Sequence, residues 1–210
     1  MKVTVIGSGN MGSAFVKQLT AAGHTVRLAA RDTKKAAGVA RQFRDAEAVP
    51  LEGAAVGADA IVLAVPYEAA VAALKAVGDV SGKVVIDITN PLTADYMGLT
   101  VGYSTSASEE IAKAVPGAQV VKGFNTLFAQ VLAVGADFGD SRKATVFLAS
   151  DSEPAKQAAR LLAESMGFAV QDAGGLKNAR YLEPLAGLNI YLGYGAGLGT
   201  SIAPTWIARQ

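Results

Sequence analysis

The chain has 210 residues, about half of them hydrophobic, enough for one sizeable α/β domain with a filled core. A formal net charge of +1 gives no electrostatic case for nucleic acid or a membrane surface as partner. With no cysteine, disulfides, thiolate nucleophiles and cysteine-ligated metals are excluded, and the composition fits a reducing cytoplasm.

Val3-Thr4-Val5-Ile6 predicts a fully buried strand, too short an apolar run for a signal peptide. A helix over Met11–Ala22 follows, stopped by Gly23. Thr25–Ala29 is the second strand, and Asp32 or Thr33 caps a helix that runs through Arg44. Ala60–Val65 is another buried strand, ended by Pro66, and Lys83–Ile88 is its neighbour. Ser108–Val115 reads as a helix. Further strands are expected at Gln119–Val121, Ala144–Ala149 and Phe168–Gln171. Between the last two, Asp151 or Ser152 caps a helix through Ser165 with Pro154 in its first turn. Leu176 to Gln210 reads as a helix, a glycine-rich break and a tail. Its apolar stretch Leu185–Ile207 is interrupted by glycines, Asn189 and Pro204, unlike a bilayer span.

Short apolar runs alternating with amphipathic stretches predict an α/β, Rossmann-type, doubly wound and mostly parallel sheet with a short C-terminal helical element. No linker or repeat divides the chain. One domain over 1–210 is expected, with 175–210 as a helical extension. In that extension Leu185, Leu188, Ile190, Tyr191, Leu192, Tyr194 and Leu198 crowd together, which points to a homodimer interface. The competing reading is a segment folded back across the sheet edge.

Gly7-Ser8-Gly9-Asn10-Met11-Gly12 is a G-x-G-x-x-G between a buried strand and a helix, the context a dinucleotide site requires. Gly7 makes the turn, Gly9 admits the pyrophosphate to the backbone, and Gly12 lets helix pack on strand. Free N–H groups and the helix dipole then face the phosphates. At the end of the second strand, where an NAD site places an acid, stand Ala29 and Ala30, followed by Arg31, Lys34 and Lys35. Arg31 suits a 2′-phosphate, with Lys34 or Lys35 adding charge, so NADP(H) is the expected cofactor. Asp32 fits a helix cap better than a ribose contact, and the lysines also fit a solvated helix start.

Acid–base chemistry is sparse. The single histidine, His24, lies at the wrong end of the sheet, and neither a metal-hydrolase nor a serine-hydrolase motif is present. A redox role needs little more than binding and orientation of a cofactor.

Three more segments carry a resemblance. They are Asp87-Ile88-Thr89-Asn90-Pro91-Leu92, Val121-Lys122-Gly123-Phe124-Asn125-Thr126-Leu127, and the stretch from Asp172 through Glu183-Pro184-Leu185. With the glycine motif, this set resembles the deazaflavin-dependent (coenzyme F-420) NADP reductase family. It is also similar to the cytosolic NADPH-binding domain of six-transmembrane metalloreductases. The resemblance implies hydride transfer between NADP(H) and a flavin or deazaflavin in a cytoplasmic, often dimeric protein. It implies Ser8, Asn10 and Met11 at the pyrophosphate and Arg31 with Lys35 as the 2′-phosphate clamp, the family's usual serine before the arginine being Ala30 here. It further implies Val65, Pro66 and Asn90 beside the ribose and nicotinamide, and backbone groups of Leu127 and Ala129 on the carboxamide. Asn125 and Thr126 are candidates for the acceptor pocket. Asn125 stands where the archaeal enzymes have histidine and Phe128 where they have proline; Asn125-Thr126 is the form seen in the metalloreductase domains and many bacterial relatives. Pro66 and Pro91 also read as strand ends and Asn125 as a buried turn residue. Two alternatives stay open. One is an imine or pyrroline-carboxylate reductase, whose long C-terminal helical domain is expected to be lacking here. The other is an NADPH-binding sensor without turnover.

Overall fold

The computed structural model describes residues 1–207 and 209. The remaining positions of the expected 175–210 extension, 208 and 210, lie outside the described residues.

Strands β1 (Lys2–Ile6), β2 (Thr25–Ala29), β3 (Ala46–Val49), β4 (Ala60–Leu63), β5 (Val84–Asp87) and β6 (Gln119–Lys122) form a six-stranded parallel sheet in the order β3-β2-β1-β4-β5-β6. Two cores sit on its faces, and successive strand residues alternate between them. Val5, Val62, Ile86 and Val121 join Phe15, Leu19 and Leu132 on one face. Ile6, Ile61, Leu63 and Val85 join Leu74 and Ile111 on the other. Burial on both faces explains why these strands read as unbroken apolar runs.

Helices α1 (Asn10–Ala21), α2 (Thr33–Ala40), α3 (Tyr67–Ala76), α4 (Ala107–Ala114) and α5 (Ala129–Val134) fill the connections. α2 is shorter than expected: Arg41 caps it, and turns at Gln42 and Phe43 lead down into the edge strand β3. β3, α3 and α5 lie beyond the sequence reading. β3 is a half-exposed edge, and α5 is a mainly apolar segment of six residues, too short to show a period.

After β6, strand β7 (Thr145–Leu148), helix α6 (Glu153–Ser165) and strand β8 (Ala169–Asp172) form a second parallel ladder. One antiparallel bridge, Lys122 to Ala149, joins it to β6. Ser152 accepts from the Ala155 N–H, so it is the cap of α6. Helix α7 (Ala179–Ile190) then passes into a π-helical turn over Tyr191–Gly195. A Cβ on Gly193 would strike the Phe128 ring, which is why this turn can lie so close to α5. The tail returns across β7, where Trp206 meets Phe147 edge to face and Thr205 bonds Thr145. Among the described residues no helix is long and apolar enough to cross a membrane.

Candidate dinucleotide site

Register aligns the carboxyl ends of the central strands: Ile6 pairs with both Ala29 and Leu63, and Leu63 with Asp87. The next residues, Gly7, Ala30, Ala64 and Ile88, therefore share one rim. The strand order reverses between β1 and β4, and open α/β sheets bind ligands outside that point. Two hollows of about 760 and 640 Å³ lie there and meet at Gly9, Ala64, Val65 and Pro66.

The three motif glycines differ in what requires them. A Cβ on Gly7, whose φ is +113°, would collide with the Ala64 carbonyl, and one on Gly12 with the Gly7 carbonyl. At Gly9 a Cβ would meet no protein atom within 4 Å. Packing thus demands the first and third glycines, while the second leaves an open cradle. Gly9 is also the N-cap of α1 and supplies no side-chain cap, so the first-turn N–H groups retain capacity for an anion. Ser8 is buried at this turn, and Asn10 and Met11 line the second hollow.

The first hollow is walled by Leu51 and by Ala69, Ala72, Ala73 and Ala76 of α3, small side chains at helical spacing. Its mouth carries Arg31, Asp32 and Lys35. Asp32 is committed as the N-cap of α2, accepting the Lys35 N–H at 2.9 Å. Arg31 and Lys35 are exposed and make no ion pair among the described residues. Two exposed cations without an ion pair, beside an aspartate whose Oδ1 is held by the Lys35 N–H, and an open cradle at Gly9 fit a dinucleotide with a 2′-phosphate.

The second hollow is lined by Val65, Pro66, Tyr67, Thr89, Asn90, Leu92, Tyr96 and Ala129. Burial first, then the carboxylates of Glu110, Glu183, Glu68 and Asp87, push the Tyr67 phenol above its usual range, so it stays protonated. Ala129 opens α5 beneath an uncapped N-terminus. Leu127 is buried, and its N–H is spent on the Phe124 carbonyl at 3.1 Å. Asn125 and Thr126 are buried rather than on the wall. Phe124 holds the turn that presents them, at φ +59° and wedged between Phe15 and Phe168. Left-handed backbone is rare for so bulky a residue, and here the packing enforces it.

Behind this hollow the three recognised segments converge on a charge cluster that sequence reasoning missed. Lys122 Nζ lies 2.8 Å from Asp87, 2.9 Å from Glu183 and 2.7 Å from the Thr89 carbonyl, and all four residues are buried. Asp87 also accepts from the Ser108 hydroxyl, and Glu183 from the Ala107 and Ser108 N–H groups at the start of α4. A lysine closing an apolar strand was the one available signal. Close by, Thr89 Oγ1, Asn125 Oδ1 and Thr126 Oγ1 are buried without a hydrogen-bond partner among the described residues. Such orphans call for a partner; of the three residues Thr89 lines the hollow, where a polar ligand group comes nearest.

His24 lies at the far end of the molecule, between the Met1 amine and Ser165. Burial, then the N-terminal charge, lowers its pKa.

Residues 2–91 match the family described as NADP oxidoreductase coenzyme F420-dependent. The chain is 32% identical over 209 residues to the F420-dependent NADP reductase of Methanothermobacter thermautotrophicus, covering 91% of this chain and 89% of that one. A crystal structure from Arthrobacter sp. FB24, provisionally described as an F420-dependent NADP reductase, superposes with TM-score 0.85 at 29% identity over the whole of both chains. The metalloreductase STEAP3 of Rattus norvegicus is 27% identical over 88% of this chain but only 36% of its own, so the chain spans about a third of that protein. A Streptomyces aurantiacus imine reductase, TM-score 0.68 at 19% identity over 93% of this chain and 64% of its own, shares the fold alone. The chain belongs to the family of coenzyme F420-dependent NADP oxidoreductases.

Proposed function

We propose that this protein is an NADP(H)-dependent oxidoreductase that exchanges hydride between the nicotinamide and a deazaflavin or flavin acceptor. The observation that carries the cofactor choice is the pair of unpaired cations, Arg31 and Lys35, beside an aspartate already used as a helix cap. In this reading Gly7, Ser8, Gly9, Asn10, Met11 and Gly12 receive the pyrophosphate on the turn and the start of α1. Leu51 and the alanines of α3 cover the adenine. Val65 and Pro66 separate the two halves of the cofactor, and Asn90 with the Ala129 N–H faces the carboxamide. Leu127 contributes through its carbonyl, its N–H being occupied.

The bound nicotinamide supplies the hydride; the chain orients it and keeps water away. The acceptor stacks over the second hollow, against Leu92, Tyr67 and Tyr96, while Asn125 and Thr126 act from the floor beneath. The reading includes a cytoplasmic enzyme, since a diffusible reduced nicotinamide pool is its hydride source. It also includes a homodimer through Leu188 of α7, Tyr191 and Tyr194 of the turn after it and Leu198 just beyond, each more than half exposed. Sedimentation of the native protein and of Leu188→Glu tests the dimer; a native monomer contradicts it.

Anaerobic NADPH oxidation measured with deazaflavin, FAD, FMN or no acceptor tests the activity. Turnover with deazaflavin or a flavin supports the reading. Tight NADPH binding with no oxidation under any condition would replace it with a binding module.

A further inference from the structure

Lysine is almost never fully buried, and Lys122 has no solvent exposure at all. Stability alone does not account for it, because apolar groups of similar volume commonly do as well as a buried ion cluster or better. What the cluster does is tie two segments to the reacting end of the cleft. On one side, Asp87 accepts the Thr89 N–H at 2.9 Å while Lys122 grips the Thr89 carbonyl, so the residue before Asn90 is held at both its polar groups. On the other, Glu183 anchors α7, and the neighbouring Leu182 carbonyl accepts from Asn125 Nδ2 at 3.0 Å.

Asn90 and Asn125 close the loop. Asn90 Nδ2 donates to the Asn125 carbonyl at 2.9 Å, and Asn125 Nδ2 donates to Asn90 Oδ1 at 3.0 Å. Each amide nitrogen carries two protons and each amide oxygen two lone pairs. Asn90 therefore keeps a donor and an acceptor to spare on the cleft wall, in an orientation that the pair dictates.

We propose that Lys122 is a positioning residue: its buried ammonium, shared by Asp87, Glu183 and the Thr89 carbonyl, locks the Asn90–Asn125 amide pair that orients the nicotinamide. The proposal rests on the cofactor placement given above. Displacements of about an ångström at a reacting centre are enough to cost large factors in rate, so a lock of this kind governs transfer more than binding.

The test uses the full chain with Asp87→Asn, Lys122→Met and Glu183→Gln combined, which removes every charge of the cluster while keeping shape. Three quantities are read beside a thermal melt. They are affinity for the adenosine half of the cofactor (adenosine 2′,5′-bisphosphate), affinity for NADPH, and exchange of the Asn125 side-chain amide protons by NMR. Single-turnover hydride transfer to deazaflavin at saturating NADPH is the fourth. The expected result is a cooperative melt, unchanged affinity for the half-cofactor, faster amide exchange, weaker NADPH binding and transfer slowed about tenfold or more.

Unchanged transfer and unchanged amide protection would overturn the proposal. So would parallel losses of half-cofactor and NADPH affinity, the signature of general structural glue. If the triple variant does not fold, Glu183→Gln alone, which keeps the Lys122–Asp87 pair, takes the same measurements with a smaller expected loss and the same overturning results. If the native protein transfers hydride to no acceptor, the functional reading fails. The positioning claim is then still decided by amide exchange and by the ratio of NADPH to half-cofactor affinity.

Discussion

The two ends of the cleft are built by opposite means. The end proposed for the adenosine half is mostly local: a glycine turn, a helix start and two exposed cations fall within the first 35 residues, and only its apolar wall, Leu51 and the alanines of α3, comes from further along the chain. The reacting end is assembled from β5, β6, the start of α4 and α7, joined by charges buried far from water. The first is a set of conformations that residue types enforce on the spot. The second exists only once distant segments have met. On the proposed reading, affinity and cofactor choice belong to the first, and geometry at the reacting atoms to the second.

Glycine substitutions break this contrast most severely. Gly12→Val drives a side chain into the Gly7 carbonyl and should abolish folding, with no cooperative melt. A Cβ at position 9 meets no protein atom within 4 Å, so Gly9→Val should melt close to the native protein yet bind no NADPH in calorimetry. A folded Gly9→Val that still binds would remove the pyrophosphate assignment.

Next in size is Lys122→Met, which strands two buried carboxylates and should cost about 3–5 kcal/mol in denaturant unfolding. The neutral triple variant should recover most of that loss. A single variant as stable as the native protein would show the cluster to be less buried than described.

Arg31→Ala comes third. Loss of a charge-assisted phosphate contact costs about 1.5–3 kcal/mol, so NADPH affinity should fall about tenfold or more while NADH affinity holds. That contact is exposed and screened by ions, so the NADPH preference should also narrow as salt rises. Equal losses for both cofactors would contradict the 2′-phosphate clamp.

The smallest effect concerns the ion pair that ties α7 to α4. Arg180 donates two hydrogen bonds to Glu109, which holds the Glu109 carboxyl below its usual range. A carboxyl depressed in the folded state contributes stability above its unfolded pKa and loses it as pH falls through the folded value. The melting-temperature gap between the native protein and Glu109→Gln should therefore be full at neutral pH and close in acid. A gap independent of pH would show that the pair contributes nothing.

The same contrast explains what could be read from the sequence. The glycine turn, the Asp32 cap and the central strands were legible because each is set by neighbours in sequence, through backbone conformation, side-chain capping or two-sided burial. Lys122, Asp87 and Glu183 stood inside segments that drew notice, yet nothing local says that they meet, because Lys122 is 35 residues from Asp87 and its pairing is a property of sheet register and helix docking. Asn125 reads as a pocket residue from its motif but lies beneath the wall, because the enforced Phe124 turn directs it toward Asn90 and Leu182. The alanines of α3 leave room for the first hollow by being small, a signal that periodicity of hydrophobicity does not carry. In the C-terminal segment, crowding of apolar residues was visible, but not its division between Ile190, packed inward, and Leu188 and Tyr191, left exposed.

The central claim is direct hydride transfer from NADPH at this cleft, and deuterium transfer tests it most directly. NADPH labelled at the reacting nicotinamide carbon is mixed anaerobically with the native protein and deazaflavin, and the reduced acceptor is analysed by mass spectrometry and NMR. The account predicts deuterium on the acceptor's reacting carbon and slower oxidation of the labelled cofactor. NADPH that binds but stays unoxidised, or an acceptor reduced without deuterium from the label, would contradict it.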